Sequence, residues 1–266
     1  MISKYTRFMV LSLKFFAAPL CVAMALGCVT TSESEFDFDL DRKARTHYTA
    51  GVEYLREGKT ALAIRELQTA MQISPEDPWI HWAIAEAYRQ KGRPDDAERH
   101  LLKALEIRSE FQQARLNLSA LYVQVARYDD AITHADMLLD DPTFPVPWKA
   151  LTNKGWAEYK LGRREEARRS FMLALEYNEK HWRSALALGI LDEEAGERVQ
   201  ALERFEQVLA LEPGPLAEAE ANYRIGEIYV SLGNRERALQ HLTAVTAKEP
   251  NGQWGKRSAD YLKRLR

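Results

Sequence analysis

Six histidines are the side chains of this sequence best suited to hold a metal ion or to move a proton near neutral pH. They stand at His47, His81, His100, His134, His181 and His241. No two of them are three or four residues apart, and the His-Glu-x-x-His pattern of zinc hydrolases does not occur. Several share a position in a repeated sequence pattern, so the repeat accounts for them. The histidines therefore predict neither a metal site nor a cofactor.

Carboxylate pairs are the second group of residues that could do chemistry. Asp95-Asp96 and Glu165-Glu166 fall where a turn leads into a predicted helix. Carboxylates there favour the positive end of the helix dipole, which is sufficient reason for both pairs. The nucleophile pattern Gly-x-Ser-x-Gly and the phosphate-loop pattern Gly-x-x-x-x-Gly-Lys are both missing from the sequence. We therefore expect a protein that is not an enzyme.

The overall charge argues against nucleic acid as a partner. The 266 residues include 37 bases and 39 acids, which gives a formal net charge of −2. Binding to phosphate backbones requires clustered Lys and Arg side chains that displace counterions. The sequence carries no basic excess of that kind. Binding to nucleic acid is therefore not expected.

The two cysteines lie in an N-terminal region with the features of a secretion signal. Residues 1–27 contain three bases and an apolar run from Phe15 to Leu26. A membrane-spanning helix needs about 20 apolar residues, so this run is too short to span. Cys21 lies inside the run and fits there as an apolar residue. Cys28 follows the run after Gly27, and its function is the more informative question.

The sequence Ala25-Leu26-Gly27-Cys28 resembles a bacterial lipobox, although Ala25 stands where Leu is usual. The resemblance implies that Cys28 becomes the acylated N-terminus. It also implies sorting to the outer membrane, because Val29 replaces the aspartate that retains lipoproteins in the inner membrane. The alternative is a plain signal peptide cut nearby, with Cys28 an ordinary thiol. Residues 28–43 are acidic and rich in Ser and Thr, which predicts a flexible tether.

A pattern with a spacing of 34 to 37 residues fills most of the remaining sequence. Its marker is an alanine, which recurs as Ala63, Ala97, Ala131, Ala167, Ala201 and Ala238. Twelve residues before each marker comes a small residue, in order Gly51, Ala85, Ser119, Gly155, Gly189 and Gly226. Between the two comes a turn residue, in order Gly58, Gly92, Ala126, Gly162, Gly196 and Gly233. The pattern predicts two helices per unit, which cross closely at the small residue and are joined by a left-handed turn.

These positions resemble the tetratricopeptide-repeat (TPR) family across residues 44–252. The resemblance implies an all-α fold, a right-handed superhelical solenoid of six helix-turn-helix repeats. The expected repeats are 44–77, 78–111, 112–145, 148–181, 182–215 and 219–252, and the expected C-terminal capping helix is 253–266. Prolines in residues 140–147 predict an exposed kinked loop after the third repeat, and residues 212–217 form a second insertion. Single units bury little apolar surface, so stability must come from stacking.

The first helices of TPR repeats line an inner groove, and their fifth and ninth positions face it. Thr152 and two glutamates also stand at these positions, and we leave them out. The other residues predict a partner-binding groove, which consists of Tyr48, Val52, Trp82, Leu116, Ala120, Trp156, Leu186, Ile190 and Tyr223. The predicted groove rim is Arg45, Arg89, Lys149 and Arg183. Such an apolar stripe suits an amphipathic protein segment. The alternative is that some of these residues pack on a neighbouring helix and belong to the core.

Three features resemble a narrower family, the secretin pilotins of type IV pili (the PilF/PilW/Tgl group). They are the lipobox, the six repeats and the proline-rich break, and the segments 140–162 and 252–266 also look like that family. The fourth repeat departs from the general repeat pattern at Lys154 and Tyr159. The likeness implies an outer-membrane lipoprotein, facing the periplasm, that binds secretin subunits during assembly. The alternatives are a scaffold for another envelope complex or an accessory subunit of an envelope enzyme.

Overall fold

The computed structural model describes residues 42–265, and all of these belong to or connect thirteen α-helices, with no strand among them. The predicted signal peptide, Cys28 and nearly all of the predicted tether lie outside the described residues. The first helices of the successive pairs are α1 (Arg42–Arg56), α3 (Pro78–Gln90), α5 (Gln112–Gln124), α7 (Pro147–Lys160), α9 (Trp182–Glu194) and α11 (Pro215–Ser231). The second helices are α2 (Thr60–Ile73), α4 (Pro94–Ile107), α6 (Tyr128–Leu139), α8 (Arg164–Tyr177), α10 (Arg198–Ala210) and α12 (Arg235–Lys248), and α13 (Gln253–Leu265) follows.

The helices stack in chain order, and the first helices form a layer of their own. Each helix packs against the next one along the chain, so neighbouring helices alternate in direction and the first helices run parallel. First helices also contact one another directly, from α1 through α9 and again between α11 and α13. Between α9 and α11 the backbones lie further apart, and side chains join the two helices, among them Arg224 and Glu193 at 2.6 Å. The predicted all-α repeat fold is confirmed.

Glycines at the predicted crossing points allow the two helices of a pair to approach closely. A Cβ atom on Gly51, Gly155, Gly189 or Gly226 would lie within 2.5 to 2.7 Å of a side-chain carbon on the facing helix. The facing residue is always a large one, sixteen positions later in the chain. The third repeat differs because its crossing residue is Ser119. The Ser119 hydroxyl donates a hydrogen bond to the Ala131 carbonyl oxygen at 3.0 Å.

The turns between paired helices take the left-handed backbone conformation that the sequence predicts. Five of the six turn positions are glycines with φ between +71° and +80°. The sixth is Ala126, with φ of +62°, a conformation that costs an L-residue about 1–2 kcal/mol. An arginine guanidinium lies over a tyrosine ring across some of these turns. In the second repeat, Arg93 lies over Tyr88 at 5.0 Å. The same contact joins Arg127 to Tyr122 at 4.2 Å.

The start of the sixth repeat and the end of the tether differ from the predicted bounds. Helix α11 begins at Pro215, four residues before the predicted start of the sixth repeat at 219. Proline is tolerated in the first turn of a helix, where its missing N–H is not needed, so the inserted residues extend α11. The predicted tether is also two residues too long, because α1 begins at Arg42.

The loop at 140–147 is only partly exposed. Phe144 is 7% exposed and packs in a cluster with Ala135, Leu138 and Ala150. The expectation of an exposed loop is therefore wrong for Phe144, because its ring fills space between the third and fourth repeats. Pro147 occupies the first turn of α7, where it starts the helix.

Among residues 42–265, no helix combines the length and the hydropathy that a membrane crossing requires.

Candidate protein-binding surface

The middle of the first-helix layer carries the aromatic residues of the predicted groove. Trp82 is partly buried, and its ring meets that of Trp79 edge to face at 5.9 Å. Trp156 is also partly buried and packs edge to face on Phe171 at 5.5 Å. Each tryptophan is therefore anchored in the core on one side while part of its surface remains accessible. This anchoring fixes the rings in place, which reduces the entropy that a partner would have to remove on binding.

Helix α5 connects these two aromatic positions. Leu116 and Val123 are partly buried, and Ala120 is exposed. The Asn153 side chain on α7 donates a weak hydrogen bond to the Leu116 carbonyl oxygen at 3.4 Å, which joins the two helices. Together the three helices α3, α5 and α7 carry partly accessible apolar side chains, and α3 also carries the ion pair of Glu86 with Arg89 at 2.6 Å. This surface contains Trp82, Leu116, Ala120 and Trp156 of the predicted groove.

The first repeat adds a partly buried edge to that surface. Tyr48 and Val52 of α1 are both partly buried. Burial raises the pKa of Tyr48 to about 12, with a further contribution from the charge of Asp77. The Asp77 carboxylate in turn accepts the backbone N–H groups of Trp79 and Ile80 at 2.8 and 3.2 Å, so it caps α3. The tyrosine hydroxyl therefore stays protonated at physiological pH.

The predicted groove does not continue through the last two repeats. Leu186, Ile190 and Tyr223 are only 7%, 6% and 5% exposed. Tyr223 lies beneath the capping helix, with its ring centre 5.0 Å from that of Trp254. Leu186 and Ile190 belong to a core cluster shared with α10 and α11. These three residues are core, so the alternative interpretation of the stripe is correct for them.

Charged side chains occur along the whole first-helix layer. The four predicted rim residues Arg45, Arg89, Lys149 and Arg183 are all exposed. Arg89 binds Glu86 of the same helix at 2.6 Å. On α11, Arg224 binds Glu220 at 2.9 Å and reaches Glu193 of α9 at 2.6 Å. Burial raises the pKa of Glu193, and the adjacent Arg224 opposes that effect. Acids and bases of this layer are therefore paired in both its first and its last repeats.

A cleft that the sequence did not predict opens between α7, α9 and the start of α11. Its volume is about 450 Å³, and its walls include Trp156, Trp182, Arg183, Leu186, Leu216 and Glu220. Leu216 is 64% exposed at the first turn of α11. The residues Pro213-Gly214-Pro215 direct the chain around the cleft, with Gly214 at φ +92°. The signal that could have revealed it is the proline-glycine insertion before the sixth repeat.

Four of the six histidines hold paired helices together. His47 bonds to Glu66 at 2.8 Å, His81 to His100 at 3.0 Å, and His241 to Asn222 at 2.9 Å. Each of these pairs joins positions nineteen residues apart, one on each helix of a repeat. Within residues 42–265 no three His, Cys, Asp or Glu side chains converge as metal ligands. These contacts account for His47, His81, His100 and His241, whereas His181 bonds to Thr152 of α7 at 3.3 Å.

The fourth repeat accommodates its unusual residues through polar contacts. The Lys154 ammonium binds the Asp136 carboxylate of α6 at 2.6 Å, which links the third and fourth repeats. Tyr159 donates its hydroxyl hydrogen to Glu194 of α9. Both side chains therefore reach the neighbouring repeat, and the departures from the repeat pattern strengthen stacking.

Comparison with known proteins places the repeats in a family. Family models described as tetratricopeptide repeat match residues 54–107, 149–181 and 193–256. Among curated proteins, none matches the sequence. Solved structures that are similar include PilW, described as a widely conserved type IV pilus biogenesis factor, with a TM-score of 0.73 and 20% identity. That alignment covers 82% of this chain and 99% of the PilW chain.

Two further solved structures are similar in fold. PilF of Pseudomonas aeruginosa aligns with a TM-score of 0.69 and 19% identity over 82% of this chain and 97% of its own. The Cut9-Hcn1 assembly of the APC/C aligns with a TM-score of 0.72 and 21% identity, over 84% of this chain but only 43% of that one. At these identities the likeness is one of fold. The repeat matches, the helix pairs and the glycine crossings together show that this chain belongs to the tetratricopeptide-repeat proteins, whose fold typically serves protein interaction.

Proposed function

We propose that this protein is an outer-membrane lipoprotein that acts as a pilotin, binding subunits of a type IV pilus secretin and promoting their assembly. The observation that carries the proposal is the likeness to PilW and PilF in both extent and TM-score. Each of those chains is covered almost completely, at 99% and 97%, by 82% of this chain, with TM-scores of 0.73 and 0.69. A tetratricopeptide repeat protein from Parabacteroides merdae is covered to the same extent, at 98%, but with a TM-score of only 0.55. The whole run of repeats thus corresponds to that of the pilus factors.

The binding surface is the apolar part of the first-helix layer. Trp82, Leu116 and Trp156 supply partly accessible apolar area, and the cleft beside Leu216 extends it. A secretin segment with an apolar face would bury this area on binding. The acyl chains on Cys28 would hold the repeats at the membrane where the secretin inserts. Anchoring and binding together raise the local concentration of secretin subunits without any additional contact.

The test of this surface must avoid residues that also support the fold. Truncation of Trp82 or Trp156 to Ala would remove core packing, which costs about 3–5 kcal/mol for such residues. Ala120 and Leu216 are exposed, so Ala120→Glu and Leu216→Glu place a charge on the surface with little effect on folding. Leu102→Glu is the matched control, because Leu102 is an exposed apolar residue on the second helix α4.

The readout is the amount of detergent-resistant secretin multimer in cells that carry each variant in place of the natural chain. We expect Ala120→Glu and Leu216→Glu to lower the multimer as a deletion does, and Leu102→Glu to leave it unchanged. Normal multimer in the deletion strain would reject the pilotin role. The protein would then be a scaffold for another envelope complex or an accessory subunit of an envelope enzyme, and capture of its partners would distinguish these.

The anchor requires a separate experiment. Cys28→Ser removes the only thiol that the lipobox resemblance assigns to acylation. We expect the variant to leave the outer-membrane fraction while its repeats stay folded. Retention of the serine variant in the outer membrane would show that another feature localises the protein.

A further inference from the structure

We infer that the cleft between α7, α9 and the start of α11 receives a bulky apolar side chain of an acidic protein segment, whose carboxylates bind Lys149 and Arg183. The inference rests on the proposal that the first-helix layer binds a protein partner, and it specifies the chemistry of the segment that is bound. It does not require that partner to be a secretin.

The walls of the cleft are suited to a bulky apolar side chain. Trp156 of α7, Trp182 of α9 and Leu216 of α11 all contribute to them. Both tryptophans are partly buried and Leu216 is 64% exposed, so apolar surface from three helices remains accessible. The volume of about 450 Å³ lies within the range of roughly 300–1,000 Å³ that is usual for ligand pockets. An aromatic or branched aliphatic side chain that enters the cleft would bury this surface.

Arg183 places a cation at the edge of the cleft. Its guanidinium carbon lies 4.5 Å from the centre of the Trp182 ring. The side chain is exposed, and it forms no ion pair with another residue of the described range 42–265. Stacking occupies one face of the guanidinium group and leaves the N–H groups at its edge available. Such an edge binds a carboxylate through two parallel hydrogen bonds.

Lys149 supplies a second cation near Arg183. It is exposed in the first turn of α7, and within the part of the chain that the structure describes it has no ion-pair partner. His181 links α7 to α9, because its ring nitrogen lies 3.3 Å from the Thr152 hydroxyl. Burial lowers the pKa of His181 to about 4, and the charges of Arg183 and Lys149 lower it further in the same direction. Both bases therefore act on one imidazole, which indicates a positive potential at this end of α7 and α9.

The acid in the walls of the cleft does not cancel this potential. Glu220 accepts hydrogen bonds from Nε and Nη2 of Arg224 at 3.1 and 2.9 Å, so its charge is already paired. The first turns of α7 and α9 contain no acid, and the residues that precede both helices make no side-chain capping hydrogen bond. The positive ends of these helices therefore add to the charges of Lys149 and Arg183. An acidic segment is favoured over a basic one at this cleft.

The experiment measures the binding of two short dye-labelled peptides to the full chain held in phosphatidylcholine nanodiscs, whose lipid adds no net charge. The acidic peptide is Gly-Glu-Phe-Leu-Glu-Gly. The basic peptide, Gly-Lys-Phe-Leu-Lys-Gly, has the same apolar residues with the charges reversed. Fluorescence anisotropy gives the two dissociation constants. We expect the acidic peptide to bind at least about tenfold more tightly, because hydrogen bonds to charged groups are the stronger ones.

Three variants locate the bound peptide. Arg183→Glu should weaken binding of the acidic peptide by about tenfold or more, because it replaces the attraction by repulsion. Leu216→Glu should also weaken it, since a carboxylate would then stand in the apolar wall. Arg198→Glu is the matched control, because Arg198 is exposed on α10, the other helix of the fifth repeat. It should leave the dissociation constant unchanged.

Several outcomes would overturn the inference. They are equal binding of the two peptides, binding of neither at about 1 mM, and binding that Arg183→Glu leaves unchanged. A dimer of the natural chain that Leu216→Glu dissociates would also overturn it, because a second copy would then occupy the cleft.

The peptide measurement and the secretin assay in cells can fail separately. Loss of secretin multimer in Leu216→Glu together with equal binding of the two peptides would reject this inference and leave the pilotin role intact. Selective binding of the acidic peptide together with normal multimer in the deletion strain would reject the pilotin role and support the inference.

Discussion

The ring of Phe171 on α8 occupies the space that a side chain on Gly155 of α7 would need. A Cβ atom at Gly155 would lie 2.7 Å from Cε1 of Phe171, well inside van der Waals contact. Phe171 is fully buried, so its ring has no solvent to move into. The close crossing of the two helices therefore depends on the absence of one methyl group.

We expect Gly155→Ala to destabilise the protein. Replacement of Gly by Ala inside a helix usually gains about 1 kcal/mol, but overpacking a core costs about 1–3 kcal/mol. The clash should prevail, with a net loss of about 1 kcal/mol or more, measured by urea unfolding. The double variant Gly155→Ala with Phe171→Leu recreates the pair found in the second repeat, Ala85 with Leu101. Its loss should be smaller than the sum of the two single losses, whereas additive losses would contradict the argument.

Ala126→Gly should stabilise the protein. Ala126 has φ +62°, where an L-residue is strained by about 1–2 kcal/mol and glycine is not. Part of this gain is lost because glycine makes the unfolded chain more flexible, so we expect a net gain of up to about 1 kcal/mol in the free energy of unfolding. Gly92→Ala at the equivalent turn is the converse control, since nothing lies within 4 Å of its missing Cβ. It should destabilise by backbone strain alone.

Stability should fall as the pH decreases from 6.5 towards 4. Burial lowers the pKa of His100 to about 4, with smaller contributions from His81 and Arg99, and burial also lowers the pKa of His181 to about 4. In the unfolded chain both histidines have a pKa of about 6.5. Above pH 6.5 both histidines are neutral in the folded and in the unfolded state. Between pH 6.5 and 4 they bind protons in the unfolded state but not in the folded state, so protonation favours unfolding.

Thermal unfolding across this pH range provides the measurement. The double variant His100→Gln and His181→Gln should show a shallower decrease of the melting temperature between pH 7 and pH 5 than the natural sequence. An identical decrease in both proteins would mean that other groups cause the acid sensitivity.

Phe144→Ala should weaken the junction of the third and fourth repeats. Its ring is 7% exposed among Ala135, Leu138 and Ala150, and truncation of a buried Phe costs about 3–5 kcal/mol. Tyr177→Ala is the control, since Tyr177 is 57% exposed and should change stability by less than about 1 kcal/mol. Equal effects of the two changes, measured by urea unfolding, would show that the loop does not anchor the repeats.

Local sequence was sufficient to predict the helix pairs but not the full binding surface. Gly155 and the turn glycines act within one repeat, so their spacing alone revealed the crossings and turns. Tyr223 is buried because α13 folds back over its ring. This places Trp254, thirty-one residues later in the chain, against Tyr223. No periodic pattern encodes that contact. Leu216 was missed for a related reason: Pro215 starts α11 early and leaves that side chain at the wall of a cleft.

The wider separation of the α9 and α11 backbones has a mechanical consequence. The ion pair of Arg224 with Glu193 joins these two helices at 2.6 Å through long side chains, whereas the earlier first helices approach one another with their backbones. Long side chains can change rotamer, so small displacements of α11 relative to α9 would widen or narrow the cleft beside Leu216. Amide groups in residues 211–217 should then exchange hydrogen faster than those in the turn after α7. Guests of different thickness could be admitted at this joint without unfolding any helix.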